Sequence, residues 1–268
     1  TRQAQKVKNQ PILVITGNPP YAGHSRNPSE RTIEETIIKG KNKGQIRSRK
    51  IKTWIGELMS LYKEGLNEKN PKWLQDDYVK FLRFAQWKME QVEEGIVAVI
   101  TNHSFLDNPT FRVMRQSLMQ TFDQLWFLDL HGNLKKKEKT PDGGKDDNVF
   151  DIEQGVAISF LIKKSGLERK ILHADFWGPR KTKYELCLKQ TLQKIEWQEL
   201  QPQSPFYLFV PLNTALLKKY DKGWKVTDIF SESSVGIVTA RDKLTIQQTK
   251  EKMLSVVHDF SKLSIEFA

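Results

Sequence analysis

The sequence of 268 residues contains a single cysteine, Cys187, so it holds no disulfide framework and no cysteine-built metal site. It also lacks long hydrophobic runs: residues 95–100 and 155–162 are nearly apolar but far shorter than the roughly 18 residues of a membrane span. No Gly-x4-Gly-Lys-Ser/Thr loop is present, so these residues include no P-loop motor. Because residues 1–10 are polar and basic, we expect no secretory signal. The single cysteine fits a reducing compartment.

The charge of the chain is strongly one-sided. Forty-three Lys and Arg face 32 Asp and Glu, which leaves a formal net charge of +11, while 38% hydrophobic residues are enough for a packed core. A basic protein favours a polyanionic partner, and we expect nucleic acid before anionic lipid.

Short β-branched runs alternate with amphipathic segments along the first 165 residues. Strands are predicted at residues 12–16, 96–101, 125–130 and 156–162, and helices at residues 76–91 and 110–121. This alternation predicts an α/β fold with a mostly parallel sheet covered on both faces. Ligands of such sheets bind beyond the carboxyl ends of the strands.

A long insertion, residues 22–75, separates the first predicted strand from its helix. Its centre is purely basic, with seven positive residues and no acidic one: Lys39, Lys41, Lys43, Arg47, Arg49, Lys50 and Lys52. Two interpretations stay open, a solvated loop or an arm that contacts phosphates.

The tetrad Asn18-Pro19-Pro20-Tyr21 directly follows the first predicted strand. The two prolines stiffen the backbone and remove two donors, so the segment presents oxygen acceptors. The Asn18 amide oxygen and the Pro19 carbonyl are suited to bind both hydrogens of a planar exocyclic amine and to aim its lone pair at an electrophile. Tyr21 offers a stacking face. The alternative is an ordinary turn after a strand.

These residues resemble the amino-methyltransferases that use S-adenosylmethionine, and the Asn form of the motif resembles the N6-adenine DNA enzymes. The resemblance continues on the next helix and strands, in residues 76–81 (DDYVKF), 95–106 (GIVAVITNHSFL) and 148–162 (NVFDIEQGVAISFLI). Residues 128–132 (LDLHG), 146–155 and 236–242 (GIVTARD) are most similar to the methyltransferase region of Type ISP restriction-modification enzymes.

The resemblance implies specific roles and partners. The tetrad Asn18-Pro19-Pro20-Tyr21 would be the catalytic motif. Within it, Asn18, Pro19 and Tyr21 would hold and stack on an adenine flipped out of double-stranded DNA, and Phe150 would stack on the other face of that base. Pro20 and Phe81 would pack against the adenine of S-adenosylmethionine. For Phe150 and Phe81, plain core packing is the alternative.

By this resemblance the fold is the C-terminal half of a Rossmann-like methyltransferase sheet, followed by the start of a target-recognition domain. The expected domains are residues 1–165 (catalytic half), 166–223 (completion and linker) and 224–268 (recognition, with a possible strand at 235–239). The glycine-rich cofactor loop of the family has no counterpart here, since no two glycines are separated by one residue. We therefore expect a fragment that does not methylate alone and that belongs with upstream nuclease, helicase-like and cofactor-binding segments.

Two other functions stay open at this point. A protein-glutamine methyltransferase also pairs this tetrad with a planar amide, and a non-catalytic DNA-binding remnant would keep charge and fold without activity. No metal site is expected, because His103 and His131 each have only one carboxylate close in sequence, Asp107 and Asp129, and no second His or Cys. Both histidines are predicted to be loop residues.

Overall fold

A computed structural model describes residues 2–21, 25–41, 43–68, 70–232 and 241–262. The chain divides into two compact units, residues 1–212 and 213–268. Within the described residues, no helix is both long and apolar enough to cross a bilayer.

The first unit is built on a six-stranded sheet and a separate two-stranded hairpin. The strands are β1 (Val14–Gly17), β2 (Glu30–Thr36), β3 (Ile46–Lys52), β4 (Gly95–Asn102), β5 (Gln124–Asp129), β6 (Val156–Lys163), β7 (Lys170–Asp175) and β8 (Gln198–Glu199). The large sheet has the order β1-β4-β6-β5-β7-β8, and β2 pairs with β3.

The predicted α/β class and mostly parallel sheet are confirmed, because β1, β4, β5 and β7 run in the same direction. The last predicted strand departs from that expectation: β6 lies antiparallel between β4 and β5. Its direction follows from its connection, because residues 130–155 form no crossover helix and the chain returns directly beside β5.

The helices of the first unit are α1 (Arg2–Asn9), α2 (Trp54–Leu58), α3 (Asp77–Glu90), α4 (Arg112–Thr121) and α5 (Arg180–Lys189). Helix α3 agrees with the predicted helix within one residue at each end. Alternate strand residues face opposite sides: Val97 and Phe127 pack with α3 and α4 in the first core. The second core, on the other face, contains Leu128, Leu130, Val149, Val156, Ala174 and Phe176, with Leu186 of α5 against it.

The insertion after β1 is not a loop throughout, because β2 and β3 form an antiparallel hairpin within it. Thr53 closes the base of this hairpin: its N–H donates to the Ser29 carbonyl and its hydroxyl to the Pro28 carbonyl. The seven basic residues lie on β3 and on the turn, and all are exposed. The hairpin is therefore a projecting element with a defined register, called the basic arm below (residues 30–52).

The second unit contains short helices and one longer one among its described residues. These are α6 (Leu217–Tyr220), α7 (Val226–Ile229), α8 (Asp242–Thr245) and α9 (Lys250–Ser261). The strand predicted at residues 235–239 lies outside the described residues, as does most of the 236–242 stretch. The assignment of residues 224–268 to target recognition stays a prediction.

Candidate functional site

The Asn-Pro-Pro-Tyr tetrad lies where the sequence places it, at the carboxyl end of a parallel strand. Gly17 is the last residue of β1 and pairs with Val99 of β4. Asn18 and Pro20 are exposed, whereas Pro19 is buried. The buried proline anchors the turn, so that the carboxamide of Asn18 stays at the surface of the sheet edge.

Tyr21 connects the tetrad to the neighbouring strand. Its hydroxyl lies 2.5 Å from Asn18 Oδ1 and 3.1 Å from the carbonyl oxygen of Ile100 in β4, so the two oxygens share its one proton. Partial burial raises the pKa of Tyr21 to about 12, which keeps the hydroxyl a donor at neutral pH. Tyr21 thus orients the Asn18 side chain so that the amide oxygen faces the phenol hydroxyl. One lone pair of that oxygen accepts from Tyr21, and the second remains free to accept another hydrogen bond.

Phe150 and Tyr21 are both half-buried against the second core. The structure therefore brings these two residues, 129 positions apart in sequence, to one apolar cluster. The Phe150 backbone is fixed by Asn148 Oδ1, which accepts from its N–H at 2.8 Å, and by Arg180, which donates to its carbonyl at 2.9 Å.

Phe81 is not a core residue, because its side chain is 45% exposed. Its helical neighbours Tyr78, Leu82 and Ala85 are all at most 4% exposed, so α3 turns its apolar face to the first core and leaves Phe81 outside it. Core packing, the alternative interpretation of Phe81, is wrong. An exposed aromatic ring on this helix is available to a ligand.

The segment after the tetrad is attached to the start of α3. Asp77 accepts hydrogen bonds from the Ser25 hydroxyl at 2.5 Å and the Arg26 N–H at 3.0 Å. Lys80 donates to Ser25 Oγ at 2.7 Å and to the Asn27 carbonyl at 2.6 Å. These two buried charges hold residues 25–27, and with them the start of the basic arm, at a set position on the helix.

The basic arm carries less net charge than its central run suggests, because β2 contributes Glu30, Glu34 and Glu35. Arg49 and Glu35 form an ion pair at 2.9 Å. With eight Lys or Arg and three Glu, residues 30–52 carry a net charge of +5. Its strongest uncompensated part is the turn, which holds Lys39, Lys41 and Lys43 without an acidic residue between them.

A fully buried ion pair fixes the connection from β5 to β6, residues 130–155. Lys183 Nζ lies 2.7 Å from Asp146 Oδ1, and neither side chain is exposed. The ammonium also donates to the carbonyls of Leu130 at 2.6 Å and Asp147 at 2.7 Å. Asp146 in turn accepts from the N–H of Gly132 at 2.6 Å and of Gly178 at 2.7 Å. This network positions the segment that carries Phe150.

A cluster of three histidines and three carboxylates lies at the carboxyl ends of β4, β5 and β7. It comprises His103, Asp129, His131, Glu138, His173 and Asp175, and is called the histidine–carboxylate cluster below. His131 lies in the loop after β5, as predicted, whereas His103 begins a short 3-10 helix after β4. Both histidines are buried, at 8% and 4% exposed, and have carboxylate partners that are distant in sequence. The cluster was not predicted because its residues are far apart in sequence. The ends of parallel strands bring them together, and Asp129 and Asp175 are partners in the β5–β7 register.

His131 is the most constrained member of the cluster. Its φ of 50° lies in the left-handed region, and Trp177 stacks on its ring at a centroid distance of 3.3 Å. Burial opposes its protonation, but its interactions with the carboxylates of Asp175, Glu138 and Asp129 outweigh this and raise its pKa to about 9. His103 is confined as well, because a Cβ at Gly155 would lie 2.5 Å from its Nε2.

No protein-family profile and no curated protein matches this chain. Solved structures do share its fold. The DrdV–DNA complex is 24% identical, with a TM-score of 0.65, over 97% of this chain and 25% of that one. A nuclease-deletion mutant of the Type ISP restriction-modification enzyme LlaGI, in complex with a DNA substrate mimic, is 20% identical, with a TM-score of 0.67, over 96% and 24%.

The ATP-dependent Type ISP restriction-modification enzyme LlaBIII bound to DNA is 26% identical, with a TM-score of 0.55, over 77% of this chain and 13% of that one. The chain thus spans a quarter or less of each of these proteins. Its fold is that of a part of two Type ISP restriction-modification enzymes and of DrdV.

Proposed function

We propose that this chain is part of the methyltransferase region of a restriction-modification enzyme, and that the enzyme transfers a methyl group from S-adenosylmethionine to N6 of a flipped adenine in DNA. The observation that carries the proposal is the exposed Asn18 carboxamide, presented at the carboxyl end of β1 and tied to β4 through Tyr21. Similarity to DNA-bound Type ISP enzymes supports a DNA substrate.

The proposed role of the Asn18 amide is to orient the substrate amine. Its oxygen has two lone pairs, one of which accepts from Tyr21, so the other is available for one hydrogen of the adenine amine. The Pro19 carbonyl is proposed to accept the second hydrogen. Two acceptors favour a pyramidal nitrogen whose lone pair is no longer delocalised into the ring and is aimed at the electrophile, so catalysis comes from orientation and electrostatics.

Phe150 and Tyr21 are proposed to stack on the two faces of the flipped base, which their shared apolar surroundings support. Extrusion of the base is required because the amine cannot reach a cofactor pocket while it is stacked in the duplex. Each aromatic contact to an unstacked base contributes about 1–3 kcal/mol.

Two residues have the chemistry that the cofactor implied by this reaction requires. Phe81 and Pro20 leave apolar surface exposed, as a partner of an adenine ring requires, and we propose that they contact the adenine of S-adenosylmethionine. When bound, the cofactor supplies an electrophilic methyl group.

The test of this function is methyl incorporation into duplex DNA by the full-length enzyme supplied with labelled S-adenosylmethionine. We expect N6-methyladenine as the modified nucleoside after digestion and mass spectrometry. Label in glutamine side chains of a protein acceptor would indicate the alternative substrate, and label in neither polymer would indicate a non-catalytic remnant. Either result rejects the proposed activity.

The basic arm is proposed to contact DNA phosphates. Replacing Lys39, Lys41 and Lys43 by Gln is expected to weaken DNA binding and to flatten the dependence of log K on log salt by about 0.9 for each phosphate that is no longer neutralised. Fluorescence anisotropy with labelled duplex DNA at several salt concentrations measures this slope. The matched control replaces three other exposed lysines, Lys181, Lys189 and Lys194. Equal slopes for both triple variants would reject the arm as a phosphate-binding element.

A further inference from the structure

Two histidines of the histidine–carboxylate cluster are each held by a carboxylate on one ring nitrogen. His103 Nδ1 lies 3.0 and 3.1 Å from the two oxygens of Asp129, and His131 Nε2 lies 2.7 Å from Asp175 Oδ1. A hydrogen bond of this kind fixes the tautomer of a histidine and raises the basicity of its other nitrogen. It is the arrangement that surrounds histidines which ligate metals.

The remaining ligand atoms converge. One ring nitrogen each of His103 and His131 and one carboxylate oxygen of Glu138 lie within 4.8 Å of one another. His131 Nδ1 lies 3.9 Å from Glu138 Oε1 and 3.7 Å from Asp129 Oδ2, beyond hydrogen-bond distance of both. This nitrogen is fully buried and has no hydrogen-bond partner. A buried polar atom normally has a hydrogen-bond partner, so a ring nitrogen that faces two carboxylates within 4 Å but forms no hydrogen bond points to a ligand between them.

The donor set of the cluster also suits a metal ion. Among the described residues, the ion-pair partners of Asp129, Glu138 and Asp175 are the three histidines, and no lysine or arginine forms an ion pair with them. Lys136 is paired with Asp107 at 2.9 Å. Three carboxylates thus face imidazole rings, and a metal ion that binds His131 Nδ1 would displace the proton from that nitrogen.

We propose that His103 Nε2, His131 Nδ1 and the Glu138 carboxylate bind one divalent first-row transition metal ion, with Asp129 and Asp175 as the carboxylates that orient the two histidines. Two imidazoles and one carboxylate are ligands that Zn²⁺ accepts, and Co²⁺ binds the same sites. His103 Nε2 lies 3.1 Å from Asn133 Nδ2, and a bound ion would take the place of Asn133 as the partner of this nitrogen.

The site would fasten residues 130–155 to the end of β4, because His131 and Glu138 belong to that segment and His103 follows β4 directly. The ion would therefore stabilise the segment that carries Phe150 without taking part in methyl transfer. This inference does not depend on the proposed function and is tested without an activity assay.

The experiment is a titration of the EDTA-treated, dialysed full chain with Co²⁺, followed by visible absorption. We expect one equivalent to bind with ligand-field bands of a low-coordinate nitrogen–oxygen site, and Zn²⁺ to abolish the bands by displacement. Glu138→Gln and His131→Gln are each expected to weaken Co²⁺ binding about tenfold or more. Circular dichroism checks that each variant is folded.

The controls replace residues of the same types outside the site. Glu153→Gln removes an exposed carboxylate of the same segment, and His258→Gln removes an exposed histidine of α9. Both are expected to bind Co²⁺ like the unmodified chain. Failure of the folded, unmodified chain to bind one equivalent would overturn the proposal, whatever the variants do. Loss of binding in the controls but not in Glu138→Gln would overturn it equally.

Discussion

Asn18→Ala in the full-length enzyme is expected to reduce methyl transfer by about three orders of magnitude, because loss of a preorganised hydrogen-bonding group at the reacting centre costs roughly 10²–10³-fold or more. Affinity for duplex DNA is expected to stay within about twofold, since phosphate contacts dominate binding. Single-turnover methylation and anisotropy separate the two quantities.

The geometry of the tetrad suggests two further variants to compare with Asn18→Ala. Asn18→Asp keeps an oxygen acceptor in reach of the Tyr21 hydroxyl, so we expect it to retain part of the activity. Tyr21→Phe keeps the ring but removes the hydroxyl proton that Asn18 and Ile100 share. We therefore expect its loss of methyl-transfer activity to lie between those of Asn18→Asp and Asn18→Ala. Near-normal turnover of Asn18→Ala would refute the role given to this amide.

Lys183→Met is expected to destabilise the first unit by about 3–5 kcal/mol, because it leaves the Asp146 carboxylate buried without its counterion. The carbonyls of Leu130 and Asp147 lose their donor at the same time. Urea unfolding followed by tryptophan fluorescence measures the change, with Trp177 beside the affected segment.

Lys189→Met is the matched control for Lys183→Met. Lys189 lies on the same helix, α5, but its side chain is 73% exposed, and its ion-pair partner among the described residues is the surface residue Glu185. We expect a change within about 0.5 kcal/mol, since exposed ion pairs contribute little. Similar destabilisation by both variants would mean that the effect belongs to the helix and not to the buried pair.

Local patterns predicted the local structure well. Tyr78, Leu82, Ala85 and Met89 recur at helical spacing, and all four are buried along α3. The same spacing did not distinguish Phe81, which lies at the edge of the apolar stripe and is exposed. Periodicity determines which face of a helix is apolar, but the packing of neighbouring elements determines which residues of that face are buried.

The hairpin of the basic arm could not be predicted from the alternation of apolar and polar residues. β2 and β3 expose almost every residue on both faces, so no alternation of apolar and polar residues marks them as strands. Their pairing places Glu30 opposite Lys52 and Glu35 opposite Arg47, an arrangement that only the register shows. The central basic run alone therefore does not show that glutamates of β2 lie beside the basic residues of β3.

By itself, the sequence determined four strands of the large sheet, the helices α3 and α4, the net positive charge and the position of Asn18 just after the first strand, because each of these depends on consecutive residues. It did not determine that this strand is mostly exposed, since β1 lies at the edge of the sheet. Only the tertiary structure decided the direction of β6, the burial of Lys183 against Asp146 and the meeting of His103, His131 and Glu138. These depend on strand order and register, which join residues tens of positions apart and leave no mark on the local pattern.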